Sequence, residues 1–223
     1  VCAKNHTHSV HNPWSQFRKP FTIDEVLASP PITYPITLPM CAPLSDGAAA
    51  AILCTEEGLK RIGADKSRCI KISASVLRSF SPRRIDQPEL HVGRLAAQQA
   101  YEIAGLGPQD MHVAEVHDAS AMGEIIQAEN LGLVELGMGG PAAERGEFTI
   151  GGRIPINPSG GLESKGHPIG ATGIGQLYEL VTQLRGEAGA RQVEGARHAI
   201  QENGGGMQGV EEAAVAIHIL SKS

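Results

Sequence analysis

The stretch that decides the fold is Asn157–Gln176, which reads NPSGGLESKGHPIGATGIGQ. Glycines and two prolines surround one histidine, His167, and a helical pattern follows directly. Gly166 and Gly170 permit backbone conformations that other residues avoid, and the prolines stiffen the loop. Such a loop would hold the imidazole at a helix N-terminus, where backbone N–H groups favour an anion or oxyanion. The alternative is a glycine-rich turn with a solvated histidine.

Strand and helix patterns alternate along the rest of the chain. The strand candidates are CIKISASVL (69–77), MHVAEVHD (111–118), HAIQENGGG (198–206) and EEAAVAIHIL (211–220). The helix candidates are HVGRLAAQQAYEIAGLG (91–107), SAMGEIIQAENLGL (120–133) and IGQLYELVTQLRG (174–186). Residues 1–40 are expected to be irregular apart from a short helix at TIDEVLAS (22–29), and SDGAAAAILCT (45–55) to be a turn followed by a β run. This alternation predicts an α/β domain.

Two further residues stand where site residues are common. His117 ends a buried strand at the point where a helix begins, a favoured place for site residues in α/β proteins. The alternative there is an N-capping Asp118 beside a partly buried histidine. Glu202 precedes three consecutive glycines that would let the backbone approach another group closely. Its alternative is a tight hairpin with a solvated acid.

Composition limits the classes of function. With 223 residues, 41% of them hydrophobic, the chain can bury a core. A net charge of −5 and dispersed basic residues argue against a nucleic-acid partner, and no apolar run approaches the length of a membrane span. The four cysteines are scattered, so we expect reduced thiols in a cytoplasmic protein. The start CAKNHTHSVH (2–11) has spacings a metal could use but lacks a second ligand cluster, so no metal site is predicted.

Taken together, these stretches resemble the thiolase superfamily, and within it the sterol-carrier-protein-type (lipid-transfer) thiolases. NPSGGLESKGHPIGATG (157–173) resembles the family signature with its GHP histidine. EVHDAS (115–120) lies where the family has an HEAF-, NEAF- or HDCF-type motif, and ENGGGMQG (202–209) where it has C-x-G-G-G. LSDGAAAAIL (44–53) resembles the strand that ends the N-terminal half-domain. The resemblance spans nearly the whole chain in the right order.

The resemblance implies a layered αβαβα thiolase fold built from two similar α/β halves. Residues 1–66 would be a loop segment and the end of the N-terminal half, including its last strand, and residues 67–223 the C-terminal domain. Because the chain starts without Met in a polar segment that resembles the middle of a loop, we expect a fragment. The missing half would carry the nucleophilic cysteine, so this chain alone is expected to be inactive.

By the same resemblance, His167 would deprotonate that cysteine and hydrogen-bond a thioester oxygen, and His117 would stabilise the enolate of the other reactant. Glu202 stands where the family usually has a second cysteine, and a carboxylate there would move the α-proton; a one-residue slip would place Asn203 there instead. The residues expected to bind substrate are Ser159, Gly160, Gly166, Gly204 and Gly205. Coenzyme A thioester is expected as a substrate, with no bound cofactor.

The implied function is an acyltransferase that makes or cleaves a carbon–carbon bond in a β-ketoacyl-CoA. Because the cysteine at position 202 is replaced, a retro-aldolase acting on CoA-ester side chains is an alternative. A non-catalytic CoA-ester binding subunit of a complex is another. The expected partners are acyl-CoA, further copies of the chain and a small OB-fold, zinc-ribbon protein.

Overall fold

A computed structural model describes residues 1–222, in which helices surround one four-stranded sheet. The helices are α1 Cys2–Ser9, α2 Ile23–Leu27, α3 Glu56–Ile62, α4 Val92–Ala104, α5 Ala121–Asn130, α6 Gly139–Glu144, α7 Gly161–Lys165 and α8 Thr172–Arg185. The strands are β1 Pro31–Thr33, β2 Ile36–Thr37, β3 Ile70–Ser79, β4 Val113–Glu115, β5 His198–Gly205 and β6 Ala214–Lys222. The predicted α/β class is confirmed. None of the helices in the described residues has the length and hydropathy to span a bilayer.

The main sheet has the strand order β3-β6-β5-β4 and is mixed. β4 and β5 run parallel, with Val113 opposite Ala199 and Glu115 opposite Gln201, whereas the other two pairs are antiparallel. Parallel neighbours present their carboxyl ends at the same edge of a sheet. The residues that follow β4 therefore lie beside the last residues of β5, and this register brings His117 next to Glu202.

Helices cover both faces of this sheet. Ala96 and Ala100 of α4 pack against one face in a core that includes Ile217 of β6. Leu180 and Leu184 of α8 pack in a second core on the other face. Full burial of one such leucine contributes roughly 2 kcal/mol before entropy costs. The resulting helix–sheet–helix sandwich is what one half of a layered αβαβα fold contributes.

The first forty residues are more regular than their sequence predicts. α1 packs against α7 and buries polar side chains, among them Asn5 and His8. Asn5 donates to Asp118 and to Glu124, and the His8 ring bonds Asn157 O at 3.0 Å. A helix that buries polar groups has no apolar stripe to reveal it, which is why the expectation of irregular structure was wrong here.

The β run expected after Ser45 is not a strand in the described chain. Residues 46–55 have no helix or strand assignment, and Ile52 and Leu53 are 91% and 75% exposed. A strand needs a neighbour to take up its backbone hydrogen bonds, and none of the described strands pairs with this run. The division of the chain at residues 66 and 67 stays a prediction.

Candidate active site

The backbone of His167 is fixed from two sides. α7 ends at Gly166 with φ +111°, a conformation that L side chains rarely adopt, and an added Cβ would lie 2.7 Å from Ser45 Oγ. The backbone N–H of His167 donates to the same Ser45 Oγ at 3.0 Å. Leu44 pairs with His167 in an isolated β-bridge. The segment at residues 44–45 therefore positions the histidine that the quoted stretch singled out.

Hydrogen bonding defines the tautomer of His167. Its Nδ1 lies 2.7 Å from Thr172 Oγ1, and the Thr172 hydroxyl donates its proton to Pro168 O at 3.1 Å. The hydroxyl oxygen therefore accepts from an Nδ1–H, which leaves Nε2 with a free lone pair. Burial, together with the charge of Lys165, lowers the pKa of His167, so the ring is neutral at pH 7. A neutral imidazole with a free Nε2 is equipped to act as a base.

The His117 ring meets the His167 ring edge to face, with 4.9 Å between the ring centroids. Burial, and after it the nearby His167, lowers the pKa of His117 to about 4. The backbone N–H of His117 donates to Glu202 Oε2 at 2.8 Å. The structure thus brings together the three residues that the sequence predicts as catalytic, although Glu202 contacts the backbone of His117 and not its ring.

Glu202 is fully buried, which excludes the alternative of a solvated acid at a hairpin. Its Oε1 has no hydrogen-bond partner among the described residues. Burial, and then the charge of Glu212, raises the pKa of Glu202 to about 8, against the opposing effect of the His117 N–H. At neutral pH this carboxyl group therefore holds its proton in most molecules.

Asn203 lies on the other face of β5. Its Nδ2 donates to Gln176 Oε1 of α8 at 3.1 Å, whereas Glu202 bonds the backbone of the loop after β4. Successive side chains of a strand point to opposite faces of a sheet. The geometry therefore selects Glu202 over Asn203 as the residue beside the imidazoles.

Asp118 joins the two histidine loops. Its Oδ1 accepts from the backbone N–H of Leu162 in α7 at 2.7 Å, and its Oδ2 accepts from Asn5 at 3.1 Å. Burial, and then the charge of Glu124, raises the pKa of Asp118 well above its ordinary value. The alternative of an N-capping Asp118 is wrong, because α5 has Ser120 as its N-cap.

The sequence model of the family described as thiolase C-terminal domain-like matches residues 81–221. The chain belongs to this family. The two imidazoles and the GHP loop all fall inside the matched residues, and the thiolase resemblance is confirmed.

Relatives of known name agree with this assignment. Sterol carrier protein 2 of Oryctolagus cuniculus is 47% identical over 206 residues, covering 90% of this chain and 38% of the relative. The acetyl-CoA acetyltransferase of Methanothermobacter thermautotrophicus is 43% identical over 223 residues, covering 100% of this chain and 57% of the relative. The chain therefore spans only part of the length of the curated relatives that it matches.

Solved structures identify the fold as that of thiolases. A structure titled "Ltp2-ChsH2(DUF35) aldolase" superposes with a TM-score of 0.81 at 23% identity, over 100% of this chain and 57% of that one. Human mitochondrial 3-ketoacyl-CoA thiolase superposes with a TM-score of 0.61 at 18% identity, over 91% and 43% of the two chains. The prediction of the C-terminal half of a thiolase fold is confirmed.

Two of the residues expected to bind substrate lie inside the thiolase half-domain. Ser159 is fully buried, and both its N–H and its hydroxyl donate to the Glu115 carboxyl group, at 3.0 and 2.8 Å. Gly160 is buried too, and an added Cβ would lie 2.5 Å from Ser9 Cβ of α1. These contacts hold the chain together beneath the GHP loop, and substrate binding by the two residues stays a prediction that the contacts do not favour.

The remaining three glycines lie closer to open space or to Glu202. Gly166 lines a cavity of about 740 Å³, together with Trp14, Gln16, Lys165 and Tyr178. None of His117, His167 and Glu202 lines that cavity. Gly204 is buried and approaches Glu212, whereas Gly205 is exposed with open space around it. Substrate binding by these three residues stays a prediction.

Sequence reasoning missed three residues that shape this thiolase-like site: Ser45, Thr172 and Glu212. Thr172 lies five residues after His167 within the quoted stretch, so the spacing held a signal for it. Ser45 and Glu212 are distant in sequence from the residues they act on, and only the fold brings them there. In the part of the chain that the structure describes, no group of three or more His, Cys, Asp or Glu side chains is arranged to hold a metal ion.

Proposed function

We propose that this chain forms one side of an active site that makes or cleaves a carbon–carbon bond in a β-ketoacyl-CoA, as a thiolase-type acyltransferase. The observation that carries the proposal is the contact of His117 with His167, 4.9 Å apart, beside the buried carboxyl group of Glu202. The nucleophilic cysteine is proposed to come from the part of the full-length protein outside this chain. The proposal has a base, a neutral hydrogen-bonding imidazole and a proton carrier at one crevice.

His167 is proposed to activate the cysteine. Its free Nε2 takes the thiol proton, because Nδ1–H is engaged by Thr172. His117 is neutral over the physiological range and has a ring N–H available for a thioester oxygen, where negative charge develops as the enolate forms. Neutral donors suit this role, since an imidazolium would trap the enolate as an ion pair.

Glu202 is proposed to deliver the proton when the bond is cleaved. The electron pair of the breaking carbon–carbon bond becomes the enolate of the departing thioester, and the Glu202 proton moves to its α-carbon. With a pKa of about 8 the group carries that proton at neutral pH. In the reverse direction, the ionised carboxylate removes the α-proton, so synthesis is favoured by higher pH.

Two relatives support acyl-CoA as the substrate class. The acetyltransferase from Methanothermobacter thermautotrophicus is named for acetyl-CoA, and a relative from Thauera aromatica that is 37% identical is named a benzoylsuccinyl-CoA thiolase subunit. Both are matched over more than four fifths of this chain, including the GHP loop and the strand that bears Glu202. The length and branching of the acyl group are left open in this proposal.

A retro-aldol lyase is the second candidate, and the identity of Glu202 favours it. A lyase of this type needs no cysteine pair, because its β-hydroxyacyl-CoA breaks into a carbonyl compound and a thioester enolate. A protonated Glu202 would supply the proton for that enolate as well. The structural neighbour titled as an aldolase carries a DUF35 partner in its title. A small OB-fold, zinc-ribbon partner subunit is proposed for this protein too, together with a cytoplasmic location and self-association.

The test uses the full-length protein with its upstream residues. A β-ketoacyl-CoA together with CoA should give an acyl-enzyme that mass spectrometry locates on a cysteine outside this chain. His167→Ala should abolish that adduct and lower the rate by about a hundredfold or more, as expected for loss of a general base. Glu144→Gln, an exposed acid on α6, serves as the matched control and should have no effect.

The two candidates differ in their products. Release of an aldehyde or ketone from a β-hydroxyacyl-CoA, without a requirement for CoA, would replace the acyltransferase by the lyase. Unchanged activity of the His167→Ala protein would contradict both and would favour a subunit that only binds CoA esters.

A further inference from the structure

Four side chains beside Glu202 form a closed hydrogen-bonded ring that no catalytic role described above uses. Gln127 Nε2 donates to Glu212 Oε1 at 2.7 Å, and Asn130 Nδ2 donates to Gln127 Oε1 at 3.0 Å. Asn130 Nδ2 also lies 3.1 Å from His91 Nδ1. The ring closes where His91 Nε2 faces Glu212 Oε2 at 3.4 Å. Two residues of α5 and one preceding α4 thus fix the Glu212 carboxyl group.

The protonation of His91 follows from its contacts. Its Nδ1 accepts from the backbone N–H of Gly93 at 3.1 Å, so this nitrogen carries no proton. The ring proton is therefore on Nε2, the atom that faces Glu212. Burial lowers the pKa of His91, and Arg83 acts in the same direction, which keeps the ring neutral at pH 7. Glu212 is held by neutral donors and has no full positive charge beside it in this ring.

Gly204 separates Glu202 from Glu212. A Cβ at this position would lie 2.7 Å from Glu212 Cγ and 3.4 Å from Glu202 Oε1. The backbone of Gly204 is outside the positive-φ region, so its conformation does not require glycine. The close approach of the two acidic side chains does require it. The unpaired oxygen of Glu202 and the side chain of Glu212 thus lie on the same side of Gly204.

We propose that Glu212, fixed by Gln127 and His91 and admitted by Gly204, is a positioning residue that controls when Glu202 carries a proton. The inference rests on the proposed function of Glu202 as the proton carrier. Ionising Glu202 places a second negative charge near Glu212 in a site with little water, and this repulsion favours the protonated form. The other groups that face Glu202 are Asp118, whose charge acts in the same direction, and the His117 N–H, which acts against it.

The test measures the protonation of Glu202 directly in the full-length protein. Infrared difference spectra over a pH titration should show a protonated carboxyl band that disappears in Glu202→Gln. Glu212→Gln should lower the midpoint of that band by about one pH unit or more, since it removes a nearby negative charge without changing the side-chain shape. The same shift should appear in the acidic or basic limb of the activity profile that Glu202→Gln abolishes.

Gly204→Ala provides an independent perturbation, because its methyl group would displace Glu212 and leave the charge in the protein. It should lower the midpoint in the same direction. Glu144→Gln, with its exposed carboxyl group, should leave both the midpoint and activity unchanged. Each variant is also unfolded in urea, so that a change in stability is separated from a change in midpoint.

The outcomes separate this inference from the proposed function. If Glu202→Gln is inactive but Glu212→Gln only loses stability and keeps the wild-type midpoint, the role of Glu212 is overturned and that of Glu202 stands. If Glu202→Gln keeps full activity, the proton-carrier function is overturned, while the infrared midpoint still decides whether the two carboxyl groups are coupled.

Discussion

The backbone N–H of Leu162 donates to Asp118 Oδ1 at 2.7 Å. This bond joins the loop that carries His117 to α7, the helix directly before His167. The 4.9 Å approach of the two imidazoles therefore depends on a buried contact that involves neither ring. In the sequence the two histidines are fifty residues apart, and the Asp118 carboxyl group makes their loops one unit.

Asp118→Ala should destabilise the protein by about 1 to 3 kcal/mol, because it leaves the Leu162 N–H and the Asn5 amide without their buried acceptor. Asp118→Asn keeps an acceptor of the same shape and should cost less. Urea unfolding measures both variants. Equal stability of Asp118→Ala and wild type would mean that water replaces the carboxyl group and that the loops are held by other contacts.

Thr172→Val should lower activity of the full-length protein by about tenfold, because it removes the oxygen that accepts from His167 Nδ1–H. The ring would then be free to carry its proton on Nε2, the atom needed as a base. Thr172→Ser keeps the hydroxyl and should remain active. Nitrogen NMR of the imidazole should show an unprotonated Nε2 in wild type and a tautomer mixture in Thr172→Val. A wild-type spectrum with an unprotonated Nδ1 would refute the tautomer assignment.

The sequence was informative where burial is periodic and apolar. In α4, the residues Val92, Ala96 and Ala100 recur at helical spacing and are all buried, and Gly105 ends the helix in the left-handed region. The alternation in EEAAVAIHIL likewise predicts β6, whose Val215, Ile217 and Ile219 face one core. Such patterns reflect the side-chain period of each element, so they need no knowledge of the partner.

The sequence was uninformative where polar groups satisfy one another in the interior. Nothing in CAKNHTHS (2–9) indicates a buried helix, because its buried residues are polar and their partners lie more than a hundred residues away. The same holds for the site: the GHP stretch identifies His167, but only the parallel register of β4 and β5 shows that His117 and Glu202 share one edge. Long-range hydrogen bonds leave no local period to detect.

Glu202→Gln should stabilise the protein increasingly as pH rises from about 4.5 to about 8. The folded-state pKa of Glu202 is raised from 4.5 to about 8, mainly by burial. Between these values the unfolded chain is ionised and the folded chain is protonated, so unfolding releases a proton and higher pH favours it. The slope is about 1.4 kcal/mol per pH unit, and it ends above pH 8. Glutamine cannot ionise and removes the slope.

Urea unfolding at several pH values in this window measures the difference between Glu202→Gln and wild type. Glu144→Gln changes an exposed carboxyl group and should leave the pH dependence as it is. A difference between Glu202→Gln and wild type that stays constant from pH 5 to pH 8 would show that Glu202 is ionised in the folded protein. The proton-donor role would then be untenable at neutral pH.

Ile52→Asp should separate the behaviour of this chain from that of the full-length protein. The side chain is 91% exposed here, so the substitution should change the free energy of unfolding of residues 1–223 by less than about 0.5 kcal/mol. The resemblance to thiolases places the run at 47–53 as a strand of the N-terminal half, where an unpaired buried aspartate would cost several kcal/mol. Ile85→Asp, an exposed isoleucine outside that run, is the control and should be mild in both proteins. Equal, small effects of Ile52→Asp in both would contradict the strand, because a paired core position does not tolerate a charge.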